Sequence, residues 1–133
     1  MESGGNRTRT VKIGGRDFEL AFTLRTMLMM QENIEGFDFN SIDRLVATPK
    51  GMLDVLYILA ENGAKLAGHE LDVDKEWFAM HIPPTTRKMV AIQLAIIGAL
   101  TDGMNMEAEE DDEAGREVDL VLKEIQKKSG KTG

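Results

Sequence analysis

Val11 and Ile13 alternate with Thr10 and Lys12, and Phe18, Leu20, Phe22 and Leu24 alternate with Asp17, Glu19, Ala21 and Thr23. A period of two is the signature of a half-buried strand pair. Gly14-Gly15 separates the two runs, where a two-residue hairpin turn demands positive φ. Such a turn sets Lys12 opposite Asp17 and Val11 opposite Phe18. The first pair is oppositely charged and outward; the second is apolar and inward. An isolated hairpin is marginal in water, so the face carrying Phe18, Leu20 and Phe22 must be covered by the rest of the chain.

From Thr23 onward the chain reads as helix. Thr23 caps a helix carrying Leu24, Met27 and Leu28 on one face and ending near Gly36. Asn40 caps a short helix with Ile42, Leu45 and Val46. Thr48-Pro49 starts another, since the hydroxyl caps the end and proline stands where no N–H is needed. That helix carries Leu53, Leu56, Ala60, Ala64 and Ala67, and Gly68 stops it. Asp74 caps a helix containing Trp77, Phe78 and Met80, which Pro83-Pro84 ends. From Thr85 to Thr101 apolar residues fall on every side of the helical wheel, the pattern of a central helix. Its apolar stretch, Met89 to Leu100, is far shorter than the ~20 residues of a membrane span.

The predicted fold is therefore mainly α: a compact helical domain with an N-terminal two-stranded β-hairpin. Residues 1–8 lack an apolar anchor and read as disordered, 9–104 form the domain, and 105–133 hold an acidic linker and a short amphipathic helix. In that last helix Val118, Val121, Leu122 and Ile125 fall at i, i+3, i+4 and i+7. The predicted core includes Val11, Phe18, Leu20, Phe22, Leu53, Leu56, Leu94 and Ile97. Truncating Leu56 or Ile97 to Ala is expected to cost ~2–5 kcal/mol if both are buried.

Composition narrows the chemistry. With 133 residues, 42% hydrophobic and 29% charged, this is an ordinary soluble domain in length and content. There is no cysteine, which removes disulfides, thiolate nucleophiles and cysteine-ligated zinc. The net charge of −7 is concentrated, since residues 107–113 hold six acids and no base. No basic patch of the kind that displaces counterions from duplex DNA is evident.

No catalytic constellation emerges. Asp72, Asp74 and Glu76 alternate as at the start of a calcium loop, but Trp77 stands where the glycine turn belongs and Pro83 where the closing glutamate belongs. His69 and His81 have no carboxylate at ligand spacing. Gly14-Gly15 lacks the GK[ST] element of a phosphate loop. Glu109 and Glu110 lie in a solvated run and not in a pocket. The reading is of a protein with no catalytic site, no metal and no cofactor.

The unusual feature is nine methionines, of which Met27, Met29 and Met30 fall on one helix and cannot all face one core. Methionine is an adaptable filler that recurs on permissive binding surfaces. Trp77 and Phe78 are adjacent and diverge by ~100° on a helix, so one is available as an interface anchor. Met29, Met30, Trp77 and Phe78 are accordingly the candidate partner-binding residues.

The string I-G-G-R-D-F-E-L from Ile13 to Leu20 and the entry Phe22-Thr23-Leu24 into a helix ending near Gln31-Glu32 carry a resemblance. So do the long helix from Met52 to Ala67 and the acid-rich helix start Leu71-Asp72-Val73-Asp74-Lys75-Glu76. Over residues 9–103 the chain resembles the tail assembly chaperones of long-tailed, siphovirus-like bacteriophages or prophages. The resemblance implies a non-enzymatic factor in the bacterial host cytoplasm. It would bind the tape measure protein, help recruit tail tube subunits, and be absent from the mature virion. The charge balance and the short apolar stretch imply partners that are neither nucleic acid nor membrane; the resemblance further implies weak self-association and a longer product made by ribosomal frameshift. The alternatives are a tail structural or adaptor protein, such as a terminator or connector, and an acidic helical regulator of an intracellular partner.

Overall fold

The computed structural model describes the backbone of residues 8–110 and the side chains of residues 9–104. The order of elements is strands β1 (Thr8–Ile13) and β2 (Arg16–Ala21), then helices α1 (Leu24–Asn33), α2 (Ile42–Val46), α3 (Pro49–Leu66), α4 (Lys75–His81) and α5 (Thr86–Glu110), with one 3₁₀ turn (Phe39–Ser41) before α2. The architecture is mainly α with an N-terminal antiparallel hairpin. The chain divides into two compact units after Gly103, so α5 crosses that boundary; the core is that of the first unit.

The hairpin has the register its alternation requires, with Val11 opposite Phe18 and Lys12 opposite Asp17. Gly14 and Gly15 have φ of 59° and 78°, the two positive values a tight turn of matching twist needs. Val11, Ile13, Phe18 and Leu20 are buried on the inner face, and Phe22, just past β2, is half-buried.

Local capping starts the helices. Thr23 and Thr26 cap α1 reciprocally: the Thr23 hydroxyl accepts the Thr26 N–H at 3.3 Å, and the Thr26 hydroxyl accepts the Thr23 N–H at 3.0 Å. The buried Thr26 hydroxyl also donates to the Ala21 carbonyl, so α1 is tied to the end of β2. Thr48 caps α3 by accepting the Gly51 N–H at 3.1 Å, with Pro49 in the first turn. Asp74 caps α4 by accepting the Trp77 N–H at 2.8 Å. Gly68, at φ 91°, lies just past the end of α3.

One cap differs from expectation. Asn40 lies inside the 3₁₀ turn, and its N–H is accepted by Asp38, which caps that turn. Ser41 stands at the start of α2 without a side-chain cap. An aspartate two residues upstream satisfies the free N–H first, and the chain enters α2 from an existing turn.

The central helix is α3, not α5. It packs against β2, α1, α2 and α4 and buries Met52, Val55, Leu56, Ile58 and Leu59. Ala60, Gly63 and Ala64 form a flat strip that lets β2 approach closely; a Cβ on Gly63 would overlap the Glu19 carbonyl. A bulky residue there would push the hairpin off the helix. In α5 only one side reaches the core, with Ile92, Ile96 and Ala99 at 0% exposure and Leu100 at 2%. Leu94 and Ile97, expected in the core, are 65% and 36% exposed. Leu53 is half-buried.

Polar contacts hold α5 in place. Gln93 donates to the Val46 carbonyl at 3.0 Å, the Lys88 ammonium donates to the Lys12 carbonyl at 2.5 Å, and Arg9 pairs with Asp102 at 2.7 Å. The Arg9 guanidinium lies over Gly98, where a Cβ would stand 2.7 Å from it.

The helix also runs further than expected. It continues through Glu107–Glu110, part of the run read as a linker. Glutamate and alanine are good helix formers, so the acidic run still extends an existing helix. The remainder of that run and the amphipathic Val118–Ile125 segment lie outside the described residues, as do residues 1–7; Thr8 belongs to β1.

Candidate functional site

The four candidate partner-binding residues divide into two separate places. Met30 is fully buried in the core. Met29 is half-buried against α3, where its sulfur lies 3.5 Å from the Asn62 side-chain amide. Phe78 is fully buried, with its ring centroid 4.9 Å from that of Phe18 and 6.4 Å from that of Tyr57. Trp77 is half-buried and covers the hairpin turn, where a Cβ on Gly14 would stand 2.9 Å from its ring. Neither Met30 nor Phe78 offers side-chain surface to a partner in this conformation.

Trp77 is instead the centre of a clasp between α4 and the hairpin. It packs edge-on to Phe18 at 5.6 Å and stacks on His81 at 4.0 Å. The Arg16 guanidinium lies 5.5 Å from its ring centroid and binds Asp72 at 2.7 Å. That hydrogen bond and charge hold the Asp72 carboxyl below its ordinary pKa. These contacts are structural, since each partner belongs to the clasp itself.

Several apolar surfaces are uncovered among the described residues, Leu24 and Leu28 on α1 among them; two others involve α5. The first is a stripe on α5, where Val90, Leu94 and Ile97 are 44%, 65% and 36% exposed. They recur at i, i+4 and i+7, so they share one face opposite the buried Ile92 and Ala99. No charged residue occurs from Met89 to Thr101, so about 20 Å of helix carries no ionic group on any side.

The second surface is a cleft of about 340 Å³. Pro49, Met52 and Leu53 from the first turns of α3 form one wall, Ala79 and Ile82 from the end of α4 another, and Pro84 and Met89 the third. Its lining has no polar side chain. Asp54 adjoins Leu53, and Lys75 lies one turn ahead of Ala79. The Asp54 carboxylate accepts Lys50 Nζ at 2.9 Å and Lys75 Nζ at 2.8 Å, bracing α4 against α3. Burial pushes the Asp54 carboxyl up, but the hydrogen bonds and charges of Lys75 and Lys50 outweigh it and hold the group below its ordinary pKa.

Sequence reasoning missed both surfaces. The only signal for the stripe was the all-round apolar pattern of α5, which reads equally well as a central helix. The cleft joins residues forty positions apart in sequence, from Pro49 to Met89, and no local pattern announces it.

Among the described residues no group of three or more histidines and carboxylates is placed to hold a metal. Nor, among them, is any helix long and apolar enough to cross a membrane. What the structure offers instead is adaptable apolar surface on α5 and in the cleft. No protein-family model, curated protein or solved structure matches this chain.

Proposed function

We propose that the protein is a non-enzymatic tail assembly chaperone of a siphovirus-like bacteriophage or prophage. In this reading it works in the bacterial host cytoplasm, binds apolar helical stretches of the tape measure protein, helps recruit tail tube subunits and is not retained in the mature virion. The observation that carries the binding role is the uncharged α5 face with Val90, Leu94 and Ile97 exposed. An apolar stripe at helical spacing suits a second helix laid along it, and absence of charge suits many helical sequences instead of one. The assignment to tail assembly comes from the resemblance of the hairpin string Ile13–Leu20 and the element order.

The test is co-expression with the cognate tape measure protein. The wild-type chain is expected to hold the tape measure in the soluble fraction. Substituting Val90, Leu94 and Ile97 together by Gln should abolish that rescue while leaving the thermal melt in place, because none of the three is buried. Rescue by the triple variant would show that binding does not use α5. Absence of rescue by the wild type would refute the chaperone reading, and a stable closed ring in light scattering would favour a terminator or connector.

A further inference from the structure

We infer that the exposed face of α5 recognises itself: a second copy of this chain lays its own α5 along it, antiparallel, about a two-fold axis between Ala95 and Ile96. The pairing is weak, and it covers the face while no other helix occupies it. It goes beyond the proposed function and does not depend on the other occupant being a tape measure protein.

The spacing of the face is self-complementary. Val90, Leu94, Ile97 and Thr101 follow one another at intervals of four, three and four residues, the alternation of a coiled-coil seam. All four are exposed. The order four, three, four reads the same from either end. An antiparallel copy therefore sets Leu94 against Ile97 and Val90 against Thr101, and each contact occurs twice, as a closed two-fold interface requires. Thr101 tolerates the cover, because its hydroxyl already donates to the Ile97 carbonyl at 2.9 Å and burial strands no donor.

The charge is self-complementary as well, once one helix is reversed. α5 carries Arg87 and Lys88 at its start, no charge from Met89 to Thr101, and Asp102, Glu107, Glu109 and Glu110 toward its end. Lys88 is committed to the Lys12 carbonyl and Asp102 to Arg9. Arg87 is exposed and makes no ion pair among the described residues. A parallel copy would align basic start with basic start and acidic end with acidic end. The antiparallel copy brings Arg87 level with position 104 of the other α5, about one turn from Glu107, and opposes the two helix dipoles. A reversed α5 thus answers the uncharged seam and both of its ends. The face covers only roughly 200 Å² on each copy, so the pair exchanges rapidly and does not persist at micromolar concentration.

The chain has no cysteine, so introduced thiols report the register directly. Full-length Val90→Cys and Thr101→Cys are mixed at about 0.5 mM, high enough to populate a weak pair, with one of the two isotope-labelled. Dissolved oxygen with copper phenanthroline is the oxidant. Antiparallel pairing sets the two thiols side by side, whereas position 90 and its equivalent lie about 16 Å apart, beyond disulfide reach. Intact mass spectrometry is expected to show the mixed disulfide about tenfold over either symmetric one; random collision gives about twofold. Leu94→Gln added to both chains should slow cross-linking about fivefold. Arg87→Glu should slow it about threefold, the scale of an exposed charge pair. Neither side chain is buried, so neither change should shift the melt.

A mixed disulfide no more than about twofold over the symmetric ones would overturn the inference by showing random collision. A predominant disulfide between two Val90→Cys chains would overturn it by showing parallel pairing. Indifference to Leu94→Gln would overturn it by placing the contact off the seam. If the register is as stated and co-expression fails to solubilise the tape measure, self-pairing stands and the phage role falls. If co-expression succeeds and the thiols cross-link at random, only self-pairing is refuted.

Discussion

Asp54 shows how one side chain joins two elements. It lies on the innermost helix at 7% exposure, yet both of its hydrogen-bond donors come from more exposed lysines, one on its own helix and one at the start of α4. Its folded pKa is depressed, so its contribution is complete above the unfolded value of about 4 and is lost as pH falls through that value toward the folded one. Asp54→Asn is expected to cost about 1–2 kcal/mol at pH 7, toward the low end for charged hydrogen bonds because the freed lysines regain water. Urea melts of both proteins at pH 7 and pH 3 check this. The gap should shrink at the lower pH, and an unchanged gap would mean the carboxylate charge is not what holds α4.

At the scale of elements, α5 is the instructive case. Ile96 and Ile97 are neighbours of the same type, but one is fully buried and the other 36% exposed. Ile96→Ala should cost about 2–5 kcal/mol, whereas Ile97→Ala should cost less than about 1 kcal/mol because no cavity forms beneath an open side chain. Leu56, fully buried on α3, should behave like Ile96. This corrects the expectation that Ile97 belongs with Leu56. Chemical denaturation of the three variants decides it, and equal losses at Ile96 and Ile97 would return α5 to the centre of the fold. The hairpin is the opposite case. Its register was legible because turn, charge pair and apolar pair all lie within eight residues and agree.

At the scale of the molecule, the exposed stripe bears on association. A helix face about 20 Å long and ~10 Å wide covers roughly 200 Å² on each partner, well short of the ~1,200 Å² in total that a stable interface buries. The protein is therefore expected to run as a monomer at micromolar concentration in size-exclusion chromatography with light scattering, and to associate only at much higher concentration. Leu94→Gln should suppress that association. A tight dimer or ring at micromolar concentration would show that more than the stripe takes part.

The sequence by itself determined the strand pair, its turn and register, the helix starts at Thr23, Thr48 and Asp74, and the stop at Gly68. Each depends on partners a few residues away, so its energetics can be read from a short window. Only the tertiary structure decided that α3 and not α5 is central, that Met30 and Phe78 are core, and that Pro49, Ala79 and Met89 meet around one cleft. Burial is non-local: a helix apolar on every side can be covered on any of them. The first unit has enough elements to enclose α3, whose Ala60, Gly63 and Ala64 admit the hairpin, and only one covered side remains for α5.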